Sequence, residues 1–252
     1  MEFDVVIPAR HASTRLPGKM LAAIGGRPLI QWVWERACAS GARRVFIATD
    51  DERIRAAAEG FGAECLLTSP AHASGTDRVA EVARCRGFAA QDVVVNVQGD
   101  EPLIEPRLIA DLARALAEDA AADIATAAAP IRSLAEFLDP NCVKALRGEA
   151  GQALYFSRAP VPWPRDRCVA GRPAEFAGAW RHIGVYAYRV EALLRFSGLR
   201  PTPLEEIERL EQLRALENGM RIQLIRLADA PPAGVDTAED LERVRALLAG
   251  NR

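Results

Sequence analysis

The chain has 252 residues, half of them hydrophobic, and its 32 basic side chains nearly balance 34 acidic ones for a formal charge of −2. That length can bury one large core with an embellishment, while the charge gives no reason to expect a nucleic-acid polymer or an anionic membrane as partner. No apolar run approaches the ~20 residues of a membrane span, and the acidic opening Met1-Glu2-Phe3-Asp4 lacks the charged-then-apolar pattern of a signal peptide, so a cytoplasmic protein is expected.

Apolar runs alternate with amphipathic stretches through the first half, the pattern of βαβ units and a parallel sheet. Strands are predicted near 3–8, 44–49, 63–67, 92–97 and 123–129, with helices over Pro28 to Ser40, Asp51 to Gly60, Gly75 to Arg86 and Pro106 to Glu118. Pro28 and Pro106 suit first-turn positions, and Gly41 suits a stop just beyond a helix. From Asn141 to Pro162 short runs broken by Gly and Pro predict a β-rich insertion, followed by a loop to about Gly178. The α/β texture resumes with a strand at Ile183 to Tyr188, helices to Asn218, a strand over Arg221 to Leu227 and a final helix from Thr237 to Leu248. Cys38, Cys65, Cys85, Cys142 and Cys168 are odd in number and include no Cys-x-x-Cys pair; they read as reduced, mostly core residues.

Two segments carry chemistry. The first strand runs into the loop Pro8 to Lys19, where Arg10, Arg15 and Lys19 gather positive charge suited to phosphate. Lys19 and Lys144 are the only lysines in a chain that otherwise uses arginine, so position 19 reads as wanting a compact ammonium. The loop has neither the Gly-x-Gly-x-x-Gly of a dinucleotide fold nor the Gly-x-x-x-x-Gly-Lys-Ser/Thr of a P-loop. An NAD-type dehydrogenase and a P-loop ATPase are both poor fits.

The second segment is the apolar strand Val93 to Val97, which ends in Gln98-Gly99-Asp100-Glu101-Pro102. Ligands in open α/β sheets collect at the carboxyl ends of strands, which sets Asp100 across a crevice from the cationic loop. A carboxylate facing a phosphate-binding loop suits a magnesium nucleotide, because Mg²⁺ takes one or two protein carboxylates plus phosphate oxygens. A second carboxylate, Asp236, stands in Gly234-Val235-Asp236-Thr237; on position alone it is equally a metal ligand or, like Thr237, a cap for the last helix. Likewise His72 to Arg78 reads either as an anion- or base-binding helix start or as an ordinary Ser/Thr cap.

Taken together, PARHASTRLPGK, HASGTDR, VNVQGDEP, LYFSRAPVPW, RHIGVYAYR, PLEEIERLEQLR and GVDTAEDLERVR resemble the 3-deoxy-D-manno-octulosonate (Kdo) cytidylyltransferases, in the same order from about residue 3 to 247. The resemblance implies a Rossmann-like nucleotidyltransferase domain over 1–252, a mixed, mostly parallel α/β sheet flanked by helices. A smaller region at about 130–190 would help form a homodimer. It also implies that CTP and Kdo give CMP-Kdo and pyrophosphate for lipopolysaccharide, with Mg²⁺ as cofactor. The residues it brings to CTP are Ala9, Arg10, Ser13, Arg15, Lys19, Ser74, Gly75, Thr76 and Arg78. Those it brings to Kdo are Gln98, Arg158, His182, Tyr186, Glu211 and Gln212. Asp100 and Asp236 resemble metal ligands and, with Lys19, the catalytic set. Arginine suits a substrate carboxylate and amides suit hydroxyls; taken singly, Arg158, Glu211 and Gln212 read as surface polar groups and His182 as a structural histidine. No side chain is an obvious general base, His182 being the candidate if one exists. The rival readings are a cytidylyltransferase for 8-amino-8-deoxy-Kdo or sialic acid, and a noncatalytic nucleotide-binding module.

Overall fold

In the computed structural model the strand Asp4–Ala9 is buried along its whole length, as an apolar strand covered on both faces must be. It pairs in parallel with Arg44–Thr49 on one side and Val93–Asn96 on the other, and Glu64–Leu67 extends the sheet beyond Arg44–Thr49, again in parallel. The structure describes residues 1–13, 15–166, 168–169, 172–173 and 178–250. Contacts divide the chain into two compact units, the first made of 1–114, 187–197 and 231–252, the second of 115–186 and 198–230.

In the first unit the helices Leu29–Cys38, Glu52–Gly60 and Gly75–Cys85 connect these strands, close to the bounds the periodicity predicts. Pro28 stands one residue earlier than expected, as the extended residue before the helix, because it also closes a short hairpin of Ala23–Ile24 and Arg27–Pro28. Gly41 has φ 81°, a conformation that ends the helical run and suits glycine. At the other end of the first strand Asp4 is fully buried, and Arg43 and Arg44 each hold its carboxylate through two N–H groups. Burial alone would raise its pKa; the two guanidinium groups outweigh that and hold it below the ordinary carboxylate value.

In the second unit Ile124–Pro130 pairs in parallel with Ile222–Arg226. The strand Trp180–Arg189, which ends in the first unit, pairs antiparallel with Lys144–Arg147, and that strand with Ala153–Ser157. The sheet is therefore mixed but mostly parallel, flanked by helices, as expected. The region expected at about 130–190 falls mainly in this unit. Three helices, Leu134–Leu138, Pro203–Glu208 and Gln212–Glu217, complete it. Much of the expected loop before Gly178 lies outside the described residues. Among the described thiols only Cys142 is buried; Cys38 and Cys85 are exposed, contrary to the expectation of mostly core cysteines, because each is the last residue of its helix. No helix among the described residues is long and apolar enough to cross a membrane.

Candidate active site

The first strand ends at Ala9, and the loop after it returns on itself where Gly18 N–H donates to His11 O at 3.1 Å. Gly18 has φ 71°, and a Cβ there would stand 3.3 Å from His11 Nε2, so this glycine sets the loop's exit. A single 3₁₀ turn, Lys19–Leu21, then carries Lys19 inward until it is only 6 % exposed. Its ammonium donates to Asp100 Oδ2 at 2.6 Å, to Val235 O at 2.9 Å and to Asp236 Oδ1 at 3.0 Å. Three donors meet three acceptors, which is what makes a buried lysine tolerable. Burial pulls the Lys19 pKa down, but the Asp100 carboxylate, and then Asp236, more than offset it, and the net shift is upward. Arg15 pairs with the other oxygen of Asp236 at 2.9 Å.

These groups line a cleft of about 330 Å³, together with Arg10, Ser13, Gly75 and Gln98 from the expected set, and with Pro8, Ala12, Met20 and Gly99, which sequence reasoning did not single out. Gly99 is there of necessity: a Cβ would lie 2.9 Å from Pro8 O and 3.1 Å from Met20 Sδ. Asp100 and Asp236 keep 28 % and 47 % of their side chains exposed, so both present oxygens to solvent as well as to Lys19. Among the described residues no group of three or more His, Cys, Asp or Glu side chains could hold a metal. A pair of accessible carboxylates beside a cationic loop nevertheless fits Mg²⁺, which completes its shell with water and substrate phosphate.

Four expected nucleotide residues do not line the cleft. Ala9 is buried in its strand. Ser74 caps the helix Gly75–Cys85, accepting from Asp77 N–H at 3.2 Å while Asp77 accepts from Ser74 N–H at 3.1 Å, and Thr76 is buried in the first turn. Arg78 is 1 % exposed; it donates to Asp50 at 2.5 Å, to Thr68 Oγ1 at 2.7 Å and to Ser69 O at 3.2 Å. The ambiguity at the last helix is resolved by a division of labour. Thr237 makes the cap with Asp240, each accepting from the other's N–H, at 3.2 and 3.0 Å, and Asp236 is left to the cleft.

The sugar-acid candidates other than Gln98 belong to the second unit. His182 sits on Trp180–Arg189 with its ring edge-on to Phe156, centroids 4.8 Å apart, and tilted against Tyr186 at 5.5 Å. Burial among these groups pushes its pKa down to about 3, so the imidazole is neutral near pH 7 and a weak base. Thr126 Oγ1 lies 3.0 Å from His182 Nε2 and 2.8 Å from Val185 O. With the hydroxyl proton directed to that carbonyl, Nε2 carries the ring proton and Nδ1 is the acceptor. Arg158 donates to Glu208 O at 2.7 Å, Pro140 O at 2.9 Å and Arg209 O at 3.5 Å. Glu211 and Gln212 follow at the start of the helix Gln212–Glu217.

Residues 5–222 match the cytidylyltransferase family model. The 3-deoxy-manno-octulosonate cytidylyltransferase of Cellvibrio japonicus is 54 % identical over 252 residues, with 98 % of each chain covered. That of Pseudomonas fluorescens is 56 % identical over 248 residues, with the same coverage. The chain belongs to this family. Among solved structures, CMP:2-keto-3-deoxy-manno-octonic acid synthetase complexed with CTP matches with a TM-score of 0.91, 42 % identity and complete coverage of both chains. Family membership thus extends across both units, including the cleft of the first and the aromatic-lined histidine of the second.

Proposed function

We infer that the chain transfers the cytidylyl group of CTP to Kdo, forming CMP-Kdo and pyrophosphate. The observation that carries this reading is the meeting of Lys19, Asp100 and Asp236 at one cleft beside Arg10 and Arg15, in a chain of this family. The anomeric hydroxyl oxygen of Kdo forms a bond to the α-phosphorus as its proton is released to solvent, the bond from that phosphorus to the α,β-bridging oxygen breaks, and pyrophosphate leaves with the electron pair. Such chemistry is mostly positioning and charge stabilisation. Arg10 and Arg15 would hold the triphosphate, and Lys19, whose three N–H groups are engaged by Asp100, Val235 and Asp236, would add positive charge beside the departing end. When bound by Asp100 and Asp236, Mg²⁺ would neutralise phosphate oxygens and polarise the reacting groups. Arg158 suits the sugar carboxylate, while Gln98, Tyr186, Glu211, Gln212 and the Nδ1 of His182 suit hydroxyls. With a pKa of about 3, His182 orients rather than accepts the hydroxyl proton at neutral pH.

The same reading places the product in lipopolysaccharide synthesis and the enzyme in the cytoplasm, as a homodimer. The homodimer rests on the family resemblance; Leu154, Trp163 and Ile207 are large apolar groups exposed in the second unit and are the first positions to test for a subunit contact. The test is pyrophosphate release with CTP and Mg²⁺, supplying Kdo, 8-amino-8-deoxy-Kdo or sialic acid in parallel, with ATP, GTP and UTP as controls. Release with CTP and Kdo is expected. Faster release with another acid would reassign the acceptor, and silence with all three would favour a binding module.

A further inference from the structure

The end of the strand Ala153–Ser157 and the turn between the helices Pro203–Glu208 and Gln212–Glu217 are locked together by one carboxylate. Glu208 Oε1 accepts from Ser157 Oγ at 2.6 Å and Oε2 from Arg158 N–H at 2.9 Å. In return Arg158 Nε donates to the Glu208 carbonyl at 2.7 Å. Glu208 thereby grips Arg158 by its backbone while Arg158 grips Glu208 by its own, and Ser157 beneath them is buried. A guanidinium has five N–H donors; three are spent on Glu208 O, Pro140 O and Arg209 O, which leaves two not engaged among the described residues.

The residue after Glu208 has an unusual backbone. Arg209 has φ 53° and is the only non-glycine residue at positive φ among the described residues. Side chains other than glycine, asparagine and aspartate seldom adopt this left-handed state, and it persists where surrounding contacts over-determine it. Here those contacts are the Arg209 and Leu210 N–H groups donating to Glu205 O, the latter at 3.3 Å, the Arg158 guanidinium donating to Arg209 O at 3.5 Å, and the preceding Glu208, itself held by Ser157 and Arg158. The turn delivers Gln212, which is 7 % exposed yet has an amide Nε2 with no acceptor among the described residues. A buried donor left without a partner calls for an explanation, and a ligand oxygen is one.

We propose that Glu208 is a positioning residue for the sugar acid: it fixes the Arg158 guanidinium and, through the left-handed turn at Arg209, the Gln212 amide, without itself touching substrate. This rests on the reading of Arg158 and Gln212 as Kdo contacts. Steady-state kinetics of Glu208→Gln and Glu208→Asp, with Gln212→Ala alongside, test it. Glu208→Gln keeps the shape but gives up one acceptor oxygen, and Glu208→Asp keeps the charge on a shorter stem.

The expected result is a KM for Kdo raised about tenfold or more in Glu208→Gln, as for loss of a charge-assisted hydrogen bond, with KM for CTP within twofold of the parent. Glu208→Asp should fall between the two. A purely structural role would lower the melting temperature and the active fraction while leaving KM for Kdo in place, and that outcome overturns the proposal, as does an equal rise in both KM values. If Gln212→Ala raises KM for Kdo and the Glu208 variants do not, the proposal fails alone. If none of the three moves it, the assignment of this segment to the sugar acid fails as well.

Discussion

Val235 donates its backbone N–H to the carbonyl of Asp100 at 2.8 Å, and so ties the loop bearing one carboxylate to the loop bearing the other. Lys19 closes the arrangement from the opposite side, by reaching Val235 O as well as both carboxylates. The spacing of Asp100 and Asp236 is therefore set by main-chain contacts before any ligand arrives, and pre-set geometry is what positional catalysis needs.

Gly234 is the point at which this contact is most vulnerable. A Cβ there would lie 2.8 Å from Asp100 O and 2.9 Å from Glu101 Oε1, and the first of these is backbone that cannot swing aside. Gly234→Ala should separate the two loops, cost about 1–3 kcal/mol in overpacking, and lower kcat more than it raises KM for CTP. Urea denaturation and a kcat/KM comparison measure both effects.

Asp100→Asn should reduce turnover by about 10²–10³, the scale set by removal of one preorganised charge-stabilising group. Lys19 keeps Val235 O and Asp236 in that variant, so the fold should survive. Near-normal turnover would remove Asp100 from the reacting centre.

Lys19→Met removes a charge that two carboxylates share. Its effect should appear as a loss of about 2–4 kcal/mol in transition-state stabilisation, by analogy with a lost oxyanion donor, read as kcat/KM for CTP. An unchanged value would assign Lys19 to holding the two loops together rather than to the nucleotide.

Arg78→Met separates two roles for a residue that the family resemblance brings to CTP. Its guanidinium is committed to Asp50, Thr68 and Ser69, and breaking such a buried pair costs about 3 kcal/mol or more, roughly 6–12 °C in a chain of this size. Scanning calorimetry should show that drop. A rise in KM for CTP at unchanged melting temperature would show direct nucleotide contact instead.

His182 supplies a pH signature. Its folded-state pKa of about 3 lies below the ordinary histidine value near 6.5, so the unfolded chain binds the proton more readily between these limits. Stability from this group is complete above about pH 6.5 and declines as pH falls toward 3, with a slope of up to about 1.4 kcal/mol per pH unit. His182→Asn should flatten the urea midpoint between pH 4.5 and 6.5. Parallel midpoints for the two proteins would show that His182 protonates as easily when folded as when unfolded.

Most of the architecture was legible because the apolar runs at 4–9, 44–49 and 93–96 are short, β-branched and separated by amphipathic helices. Lys19 was legible through its chemical rarity. Asp236 was not separable from Thr237 by position, since both suit a cap; only the Thr237–Asp240 exchange frees the aspartate. Arg78 comes to CTP by the family resemblance, and its pairing with Asp50, 28 residues away, leaves no local trace in the sequence. Glu208 is equally silent in sequence, one acidic residue among several in a short helix, and its meaning depends on the strand end at Ser157 and Arg158.

The Lys19 contacts to Val235 and Asp236 span 216 and 217 residues. The paired strands Asp4–Ala9, Arg44–Thr49, Glu64–Leu67 and Val93–Asn96 all lie within the first hundred residues, whereas Asp236 follows the last of them by more than a hundred residues. Loop closure over such separations is slow compared with local contacts. The Lys19 contacts to Val235 and Asp236 therefore form late relative to the strand pairings of the first unit, and the cleft takes its described geometry only after that long closure.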